Sequence, residues 1–408
     1  VVGGDILVEG ERIVKVGKGL RGDGEVIDAG GSVVMPGIVD THVHVRDFDE
    51  EQKEDFTSAS MAAIAGGVTT FLEMPNTSPE IADLSTLKRR VETGEKGSLA
   101  DFGTHFGFSH RIDELRRVNA PSVKVYMDRL DESVEKALES AFLACSFLTF
   151  HCEDPRVIKR NLEFAKDTED FLLHGDIREP AAEVNAVKMA TRLALEHEKH
   201  AHICHITLPK SIDLLNQYTT CEVTPHHLLL TEKDLRELKG IAKTNPPLRT
   251  RLDVYGLWQA IKRKKVHVIA SDHAPHLVEE KERGVLACPP GIPNLEVMLR
   301  LMLDLVNRGS LKLTDLARMM CENPARIFRV KNKGFIKPGA DADLLILDMK
   351  AESKIDPLEF YSKAKYSPFA GRKTQGNVKT VILRGKLAFK EREFFVKPGY
   401  GRYLYRQI

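Results

Sequence analysis

Two histidines at a spacing of two, His42 and His44, follow an apolar run over residues 33–39. Alternate residues of a β-strand point to the same face, so both imidazoles can bind a single metal ion. The spacing alone is also typical of two unrelated strand histidines. A second cluster favours the metal, because another apolar run, which includes Ile269, ends at the carboxylate of Asp272. Together the two clusters predict a hydrolytic metal centre.

A lysine in a third apolar segment adds to this centre. Strand alternation puts Lys124 on the face opposite Val123 and Val125. A lysine inside a sheet is costly unless it is paired or chemically modified. A buried salt bridge and a modified lysine therefore both remain open at this position.

Further histidines end two more apolar segments. His151 closes the run over residues 148–151, and His205 lies nearer the end of its segment than His202. We expect His205 to be the ligand and His202 to pack on the outer face. Asp272 follows Val268 and Ala270 at period two and is expected to face inward, with His267 and His273 facing away.

The elements that position these residues follow from the hydrophobic pattern. From residue 34 to about 325, short apolar strands alternate with amphipathic helical stretches, which predicts right-handed βα units and a parallel sheet. The strand candidates end at or near His44, Asn76, Phe108, Met127, His151, His205, Thr224 and Asp272. Eight strands fit a closed (β/α)8 TIM-type barrel, whose active site is built at the carboxyl ends of its strands.

The two ends of the chain read as strands instead. We expect residues 1–34 and 333–408 to pair into one small β domain beside a barrel of residues 35–332. The formal net charge is +1, from 60 basic and 59 acidic residues, which disfavours nucleic acid as a partner. No apolar stretch approaches the ~20 residues of a membrane span, and no signal-peptide pattern opens the sequence. Six scattered cysteines are typical of free thiols in the cytoplasm.

Seven blocks of this sequence resemble one known family along nearly the full chain. They read MPGIVDTHVHVR (35–46), EMPNT (73–77), VKVY (123–126), HICH (202–205), VTPHHL (223–228), NPPL (245–248) and SDHAPH (271–276). The sequence resembles the amidohydrolase superfamily and, within it, the type I dihydroorotases. The resemblance implies two Zn²⁺ ions: His42, His44 and Asp272 hold one, His151 and His205 hold the other, and Lys124 bridges both as a CO₂-derived carbamate.

The resemblance also implies a substrate site and a reaction. Arg46, Asn76 and His276 would hold the carboxylate of dihydroorotate, and Asn245 resembles a further substrate contact. The reaction would be reversible hydrolysis of dihydroorotate to N-carbamoyl-aspartate in pyrimidine biosynthesis, with Asp272 moving the proton. Two alternatives remain open from the residues: Arg46 in a surface ion pair with Asp47, Asp49 or Glu50, and Asn76 as a turn residue before Ser78-Pro79. We expect structural roles for His226 and His227.

The sequence departs from the family pattern in two loops. After Arg46 the family often has Glu-Pro-Gly, whereas this chain has Asp47-Phe48-Asp49-Glu50, and the short charged segment after Lys124 puts a mobile lid in doubt. A hydantoinase-like or allantoinase-like enzyme would share the metal cage, and a non-catalytic dihydroorotase-like scaffold would share the fold. A homodimer or an association with a transcarbamoylase would be compatible with the resemblance.

Overall fold

The computed structural model describes residues 3–109, 111–131, 133–166 and 168–405. Its strands are β1 Asp5–Glu9, β2 Arg12–Gly17, β3 Val33–Pro36, β4 Ile38–Val43, β5 Val68–Glu73, β6 Asp101–Thr104, β7 Phe106–Gly107, β8 Val123–Tyr126, β9 Phe147–His151, β10 His200–Ile203, β11 Thr219–Val223, β12 Val268–Ile269, β13 Leu344–Lys354, β14 Lys373–Leu383, β15 Lys386–Lys390 and β16 Glu393–Phe394.

Helices separate most of these strands. They are α1 Phe56–Ala65, α2 Leu84–Gly97, α3 Ile112–Arg117, α4 Val134–Ala144, α5 Pro155–Leu162, α6 Leu173–Ile177, α7 Pro180–Glu196, α8 Pro209–Ile212, α9 Pro225–Leu229, α10 Glu232–Leu238, α11 Arg251–Lys262, α12 Val278–Lys281, α13 Met298–Asn307, α14 Leu313–Ala317 and α15 Asn323–Ile327. Local chemistry fixes several starts: the Asp55 carboxylate accepts from the Ser58 amide at the start of α1, and Asp83 caps α2 in the same way.

Strands β4 to β12 close into a parallel barrel. Strands β4, β5 and β6 pair in that order, and β7 to β12 form a second run of neighbours. Strands β6 and β7 are two halves of one strand, interrupted only at His105. The barrel closes where Val43 bridges to His273 and the His44 amide donates to the His273 carbonyl at 2.8 Å. The predicted (β/α)8 architecture is confirmed.

The core explains why the barrel strands read as continuous apolar runs. Every residue of β4 and β5 is buried, because one face of each strand lines the barrel and the other packs under helices. Phe328, just after α15, plugs the barrel at the end opposite the site, with its ring 5.3 Å from that of Phe147 and 5.0 Å from that of His202. This end of the barrel is therefore filled by side chains, and the polar residues of the candidate site lie at the other end.

Both chain ends contribute to one small β region, as predicted. Strand β13 pairs antiparallel with β14 on one side and with β3 on the other. The β1–β2 hairpin joins it through the Ile13 amide, which donates to the Ala340 carbonyl at 2.9 Å. Because β3 lies in this sheet and β4 follows at once in the barrel, the chain changes domain within a few residues. The division at residues 34 and 332 stays a prediction.

A buried group of charges ties the small β region to the barrel. Lys333 Nζ lies 2.6 Å from Asp101 Oδ2, at the first residue of β6, and 2.8 Å from Asp343 Oδ2, just before β13. The Arg384 guanidinium also pairs with Asp101. Each of these buried charges is paired, and Asp101 pairs with Lys333 and Arg384 across the two parts of the fold, so the cluster joins the small region to the barrel. All six cysteines are buried and unpaired. No helix in the described ranges has the length and hydropathy to cross a membrane.

Candidate metal centre and active site

Three predicted ligands meet where β4 and β12 end. His42 Nε2 lies 3.2 Å and His44 Nε2 3.4 Å from Asp272 Oδ1, and all three side chains are buried. Ligand atoms around one tetrahedral Zn²⁺, with bonds of about 2.0–2.2 Å, have about this spacing. Asp272 adopts φ of +46°, a left-handed conformation that turns its carboxylate to the histidines. The donor set and its spacing fit a metal ion.

A second pair of imidazoles converges beside the first group. His151 Nδ1 lies 3.0 Å from His205 Nε2, and the rings of His205 and His42 are 5.2 Å apart. His205 Nδ1 is buried without a hydrogen-bond partner in the described part of the chain. Two imidazole nitrogens this close are also the arrangement expected where both bind one metal ion, so this pair fits a second ion.

Lys124 lies in the barrel interior, as its strand alternation predicts. Its side chain is almost fully buried, and Nζ donates to the Cys204 thiol at 2.9 Å. Among the described residues no carboxylate lies within ion-pair distance of Nζ, so the plain salt bridge is absent there. A buried amine without a counter-ion is costly, and a carbamate would turn it into an anionic ligand. The environment of Lys124 therefore fits the bridging carbamate.

Neutral imidazoles are the form that binds metal, and burial favours that form here. Burial lowers the pKa of His42 to about 4 and lowers the pKa values of His44 and His205 well below their usual range. Burial also raises the pKa of Asp272, with the negative charge of Glu222 adding to the effect. The imidazole nitrogens are therefore free to bind a cation, and a bound cation would stabilise the ionised form of Asp272.

In three of the four predicted histidine ligands, the nitrogen on the other side of the ring has a hydrogen-bond partner. His44 Nδ1 donates to Asn76 Oδ1 at 2.6 Å, and His42 Nδ1 donates to Glu222 Oε1 at 2.5 Å. His151 Nε2 lies 2.7 Å from Glu153 Oε2, leaving Nδ1 for the site. Such outer partners fix the tautomer and direction of metal-binding histidines.

Arg46 lies buried beside this centre. Its Nε donates to the Pro275 carbonyl at 3.1 Å, and its Nη2 lies 3.0 Å from His276 Nε2. No described carboxylate pairs with it, and Asp47 instead caps the turn at Phe48–Glu50. The surface ion pair is therefore absent from the described residues, and a buried guanidinium is left without an anion. A guanidinium in this state can pair with an anionic group of a ligand, as predicted for Arg46.

A family model described as the amidohydrolase family matches residues 33–388. The chain belongs to the amidohydrolase family. Among curated proteins it is 40% identical over 409 residues to the dihydroorotase of Methanothermobacter thermautotrophicus, covering 98% of this chain and 94% of that protein. It is 38% identical over 410 residues to the dihydroorotase of Pyrococcus abyssi, with the same coverage of 98% and 94%. The predicted resemblance is confirmed.

Solved structures give the same fold under other names. The amidohydrolase superimposes on the L-hydantoinase (dihydropyrimidinase) from Arthrobacter aurescens with a TM-score of 0.94, at 30% identity and with 99% of this chain and 96% of that chain covered. The dihydropyrimidinase from Brevibacillus agri gives a TM-score of 0.91 at 25% identity, with 99% and 95% covered. The barrel and its appended sheet are therefore shared with these two proteins.

Two predicted substrate residues, Asn76 and Asn245, are hydrogen-bonded to other side chains of this amidohydrolase. Asn76 accepts a hydrogen bond from His44, a predicted metal ligand, so it is more than a turn residue. Asn245, with its amide oxygen towards Arg178, accepts from Nη2 at 2.9 Å. Arg178 in turn pairs with Glu153, the partner of His151. Substrate contacts by both asparagines stay predictions.

The outward placement of His202 is wrong. His202 Nε2 lies 3.1 Å from Glu222 Oε2, the carboxylate that also accepts from His42, so His202 is inside the barrel. Strand alternation failed because β10 ends at Ile203 and His205 adopts φ of +33°, which turns His205 inward as well. His273 does face away from the centre, towards Glu54 at 3.4 Å.

Glu222 is the site residue that the motifs did not reveal. Its carboxylate, fully buried at the end of β11, accepts from His42, from Thr41 Oγ1 at 2.8 Å and from His202. The available signal was the one that singled out Lys124: an ionisable residue within an apolar barrel strand.

The two loops that depart from the family pattern both form compact turns. The loop at residues 47–50 is a short 3-10 turn, and Met127–Arg129 after Lys124 is another.

Proposed function

We propose that this amidohydrolase is a dihydroorotase, which hydrolyses (S)-dihydroorotate reversibly to N-carbamoyl-L-aspartate in pyrimidine biosynthesis. The observation that carries the proposal is Arg46, buried next to the metal-binding histidines without a carboxylate partner among the described residues. Dihydroorotate has a ring carboxylate that would supply this anion, whereas hydantoin and allantoin lack one. The dihydroorotase names of the curated relatives support the same conclusion.

The residues that would hold two Zn²⁺ ions are His42, His44 and Asp272 for one and His151 and His205 for the other, with Lys124 bridging as a carbamate. When bound, the ions supply Lewis acidity that polarises the scissile carbonyl and lowers the pKa of water towards ~7.

The chain itself supplies proton transfer and orientation. Asp272 takes the proton of the attacking water and delivers it to the leaving ring nitrogen, and reverses both roles in ring closure. Arg46 and His276 hold the ring carboxylate and so aim the ring carbonyl at the metal-binding residues. Asn76 and Asn245 complete the substrate site.

The test is turnover of dihydroorotate against hydantoin and allantoin, with metal content measured on the same sample. We expect dihydroorotate to be the preferred substrate by kcat/KM. Preferred turnover of hydantoin would favour the second candidate, which the hydantoinase structures support. A non-catalytic scaffold would turn over none of the three substrates. The presence of suitable residues at all six predicted ligand positions argues against that alternative.

The carbamate on Lys124 has its own test. Lys124→Ala should lose metal and activity together, because the bridging ligand is gone, and short carboxylic acids should restore part of both. Carbon-13 NMR of protein equilibrated with labelled CO₂ should show one carbamate signal per chain. A free amine at Lys124 beside two fully occupied metal sites would contradict this assignment.

For assembly, we propose a homodimer or an association with a transcarbamoylase, in line with the resemblance of the sequence. Light scattering of the purified chain, alone and with a transcarbamoylase, should show a mass above that of the monomer. A monomer under both conditions would contradict it.

A further inference from the structure

Two adjacent histidines of α9, His226 and His227, have different hydrogen-bonding environments. Both nitrogens of His227 are satisfied: Nδ1 lies 2.8 Å from Thr224 Oγ1, and Nε2 lies 3.0 Å from the Pro246 carbonyl. His226 is fully buried, yet its Nε2 has no hydrogen-bond partner in the described ranges. That nitrogen lies 3.9 Å from Asp272 Oδ2. His227 is therefore fully hydrogen-bonded, whereas His226 has one nitrogen available to interact with Asp272.

The tautomer of His226 is fixed by Asn294. The Asn294 Nδ2 group donates to the Ser271 carbonyl at 2.9 Å, which settles the orientation of the amide because a carbonyl can only accept. The same Nδ2 lies 3.0 Å from His226 Nδ1, so Nδ1 accepts this second hydrogen bond. The neutral imidazole must then carry its proton on Nε2, the nitrogen that faces Asp272.

The two oxygens of Asp272 face different partners. Oδ1 is the atom closest to His42 Nε2 and His44 Nε2. Oδ2 is the atom that faces His226 Nε2. A relative shift of about 1 Å would bring the N–H to ordinary hydrogen-bond distance from Oδ2. The donor stands where it would stop the carboxylate from rotating Oδ1 away from the metal ligands.

We propose that His226 is a positioning residue for Asp272: its Nε2–H donates to Oδ2 and holds the carboxylate in the orientation needed for proton transfer. This inference rests on the proposed function, in which Asp272 moves the proton. It assigns a role in catalysis to a histidine that the sequence alone presents as structural. His227, with both nitrogens satisfied, keeps the structural role.

The test compares two substitutions at one position. His226→Leu removes the donor, whereas His226→Gln keeps an N–H at about the place of Nε2. We expect kcat of His226→Leu to fall about ten- to hundredfold, or ~1.4–2.7 kcal/mol at 1.36 kcal/mol per factor of ten, with KM nearly unchanged. His226→Gln should recover most of this loss. Metal content per chain should be that of the wild type in both variants, since the histidine ligands are intact.

His227→Gln is the matched control, and we expect it to keep wild-type kcat. An unchanged kcat in His226→Leu would overturn the proposal, as would an equal loss of kcat and metal in the Leu and Gln variants, which would show that His226 only supports the metal site. If His226→Leu does not fold, His226→Asn takes its place, because its shorter amide cannot reach Oδ2. If wild-type protein prefers hydantoin, the proposed function fails while the same comparison, run with hydantoin, still tests His226.

Discussion

The buried carboxylate of Glu222 offers a sharp test of how this metal centre is built. Its Oε1 accepts from His42 Nδ1 at 2.5 Å, and its Oε2 accepts from Thr41 Oγ1 at 2.8 Å and His202 Nε2 at 3.1 Å. Glu222→Gln has the same shape but offers one oxygen and no charge. If that oxygen faces His42, the amide must face two groups that now donate, and these have to rotate or change tautomer.

The size of the effect follows from these contacts. The hydrogen bond to His42 would lose its charge assistance, and hydrogen bonds to charged groups are worth about 1.5–3 kcal/mol. Loss of such an outer partner typically weakens metal binding by about ten- to a hundredfold. We therefore expect the zinc affinity of Glu222→Gln to fall by that factor, ~1.4–2.7 kcal/mol, without loss of the fold.

The assay is a zinc titration of metal-free protein against a coloured chelator, with thermal unfolding measured in parallel. Glu183→Gln is the control, because Glu183 is also buried but accepts from Thr207, Leu208 and Ser211, none of which is a predicted ligand. It should lower the unfolding temperature without changing zinc affinity. Equal zinc affinity in wild type and Glu222→Gln would refute the view that Glu222 orients His42.

Three further substitutions probe substrate binding, proton transfer and stability. Arg46→Lys should lower kcat/KM for dihydroorotate at least about tenfold, because a point charge cannot replace the planar guanidinium. The kcat/KM for dihydrouracil, which lacks the carboxylate, should be nearly unchanged. Equal losses on both substrates would mean that Arg46 supports the fold. Asp272→Asn should lower kcat by about 10²–10⁴, and a variant with more than about a tenth of wild-type kcat would move the proton shuttle elsewhere. Burial raises the pKa of Glu296 to about 7 from 4.5, so between these values the folded chain keeps a proton that the unfolded chain has released, and stability falls as pH rises. Glu296→Gln should flatten that fall in urea unfolding at pH 5 and pH 8, and an unchanged slope would contradict it.

The barrel and its metal-facing residues could be predicted because both depend on local periodicity. A strand that is buried on both faces reads as an apolar run, and a polar residue at its end is conspicuous. Lys124 and His151 were placed correctly by that reasoning, since β8 and β9 continue as regular strands up to or beyond them. Alternation fails where the backbone leaves the strand conformation, as it does at His205 with φ of +33°.

The outer partners of the ligands could not be predicted in the same way, because they depend on the register between strands. Glu222 contacts His42 only because the barrel closes, which brings the side chains of β4 and β11 together in its interior. The contact of Asn294 with His226 joins a loop to helix α9 across 68 residues of sequence. No periodicity within either segment encodes such a meeting, so the sequence shows the residue types without showing which pairs they form.

Buried polar atoms without a hydrogen-bond partner also bear on the function of the site. A buried polar atom without a partner costs about 1–3 kcal/mol, so a fold tolerates few of them. In the described chain, several such atoms gather around the candidate centre: Tyr126 Oη, Asp128 Oδ1, Glu153 Oε1, His205 Nδ1, His226 Nε2 and His276 Nδ1. Other such atoms are scattered through the described chain, among them Arg90 Nη1 and Arg300 Nε. What distinguishes the group at the centre is that its members lie together, where metal ions and a polar substrate would supply the missing partners. Binding of these groups would stabilise the site, so metal removal should lower the unfolding temperature of this chain.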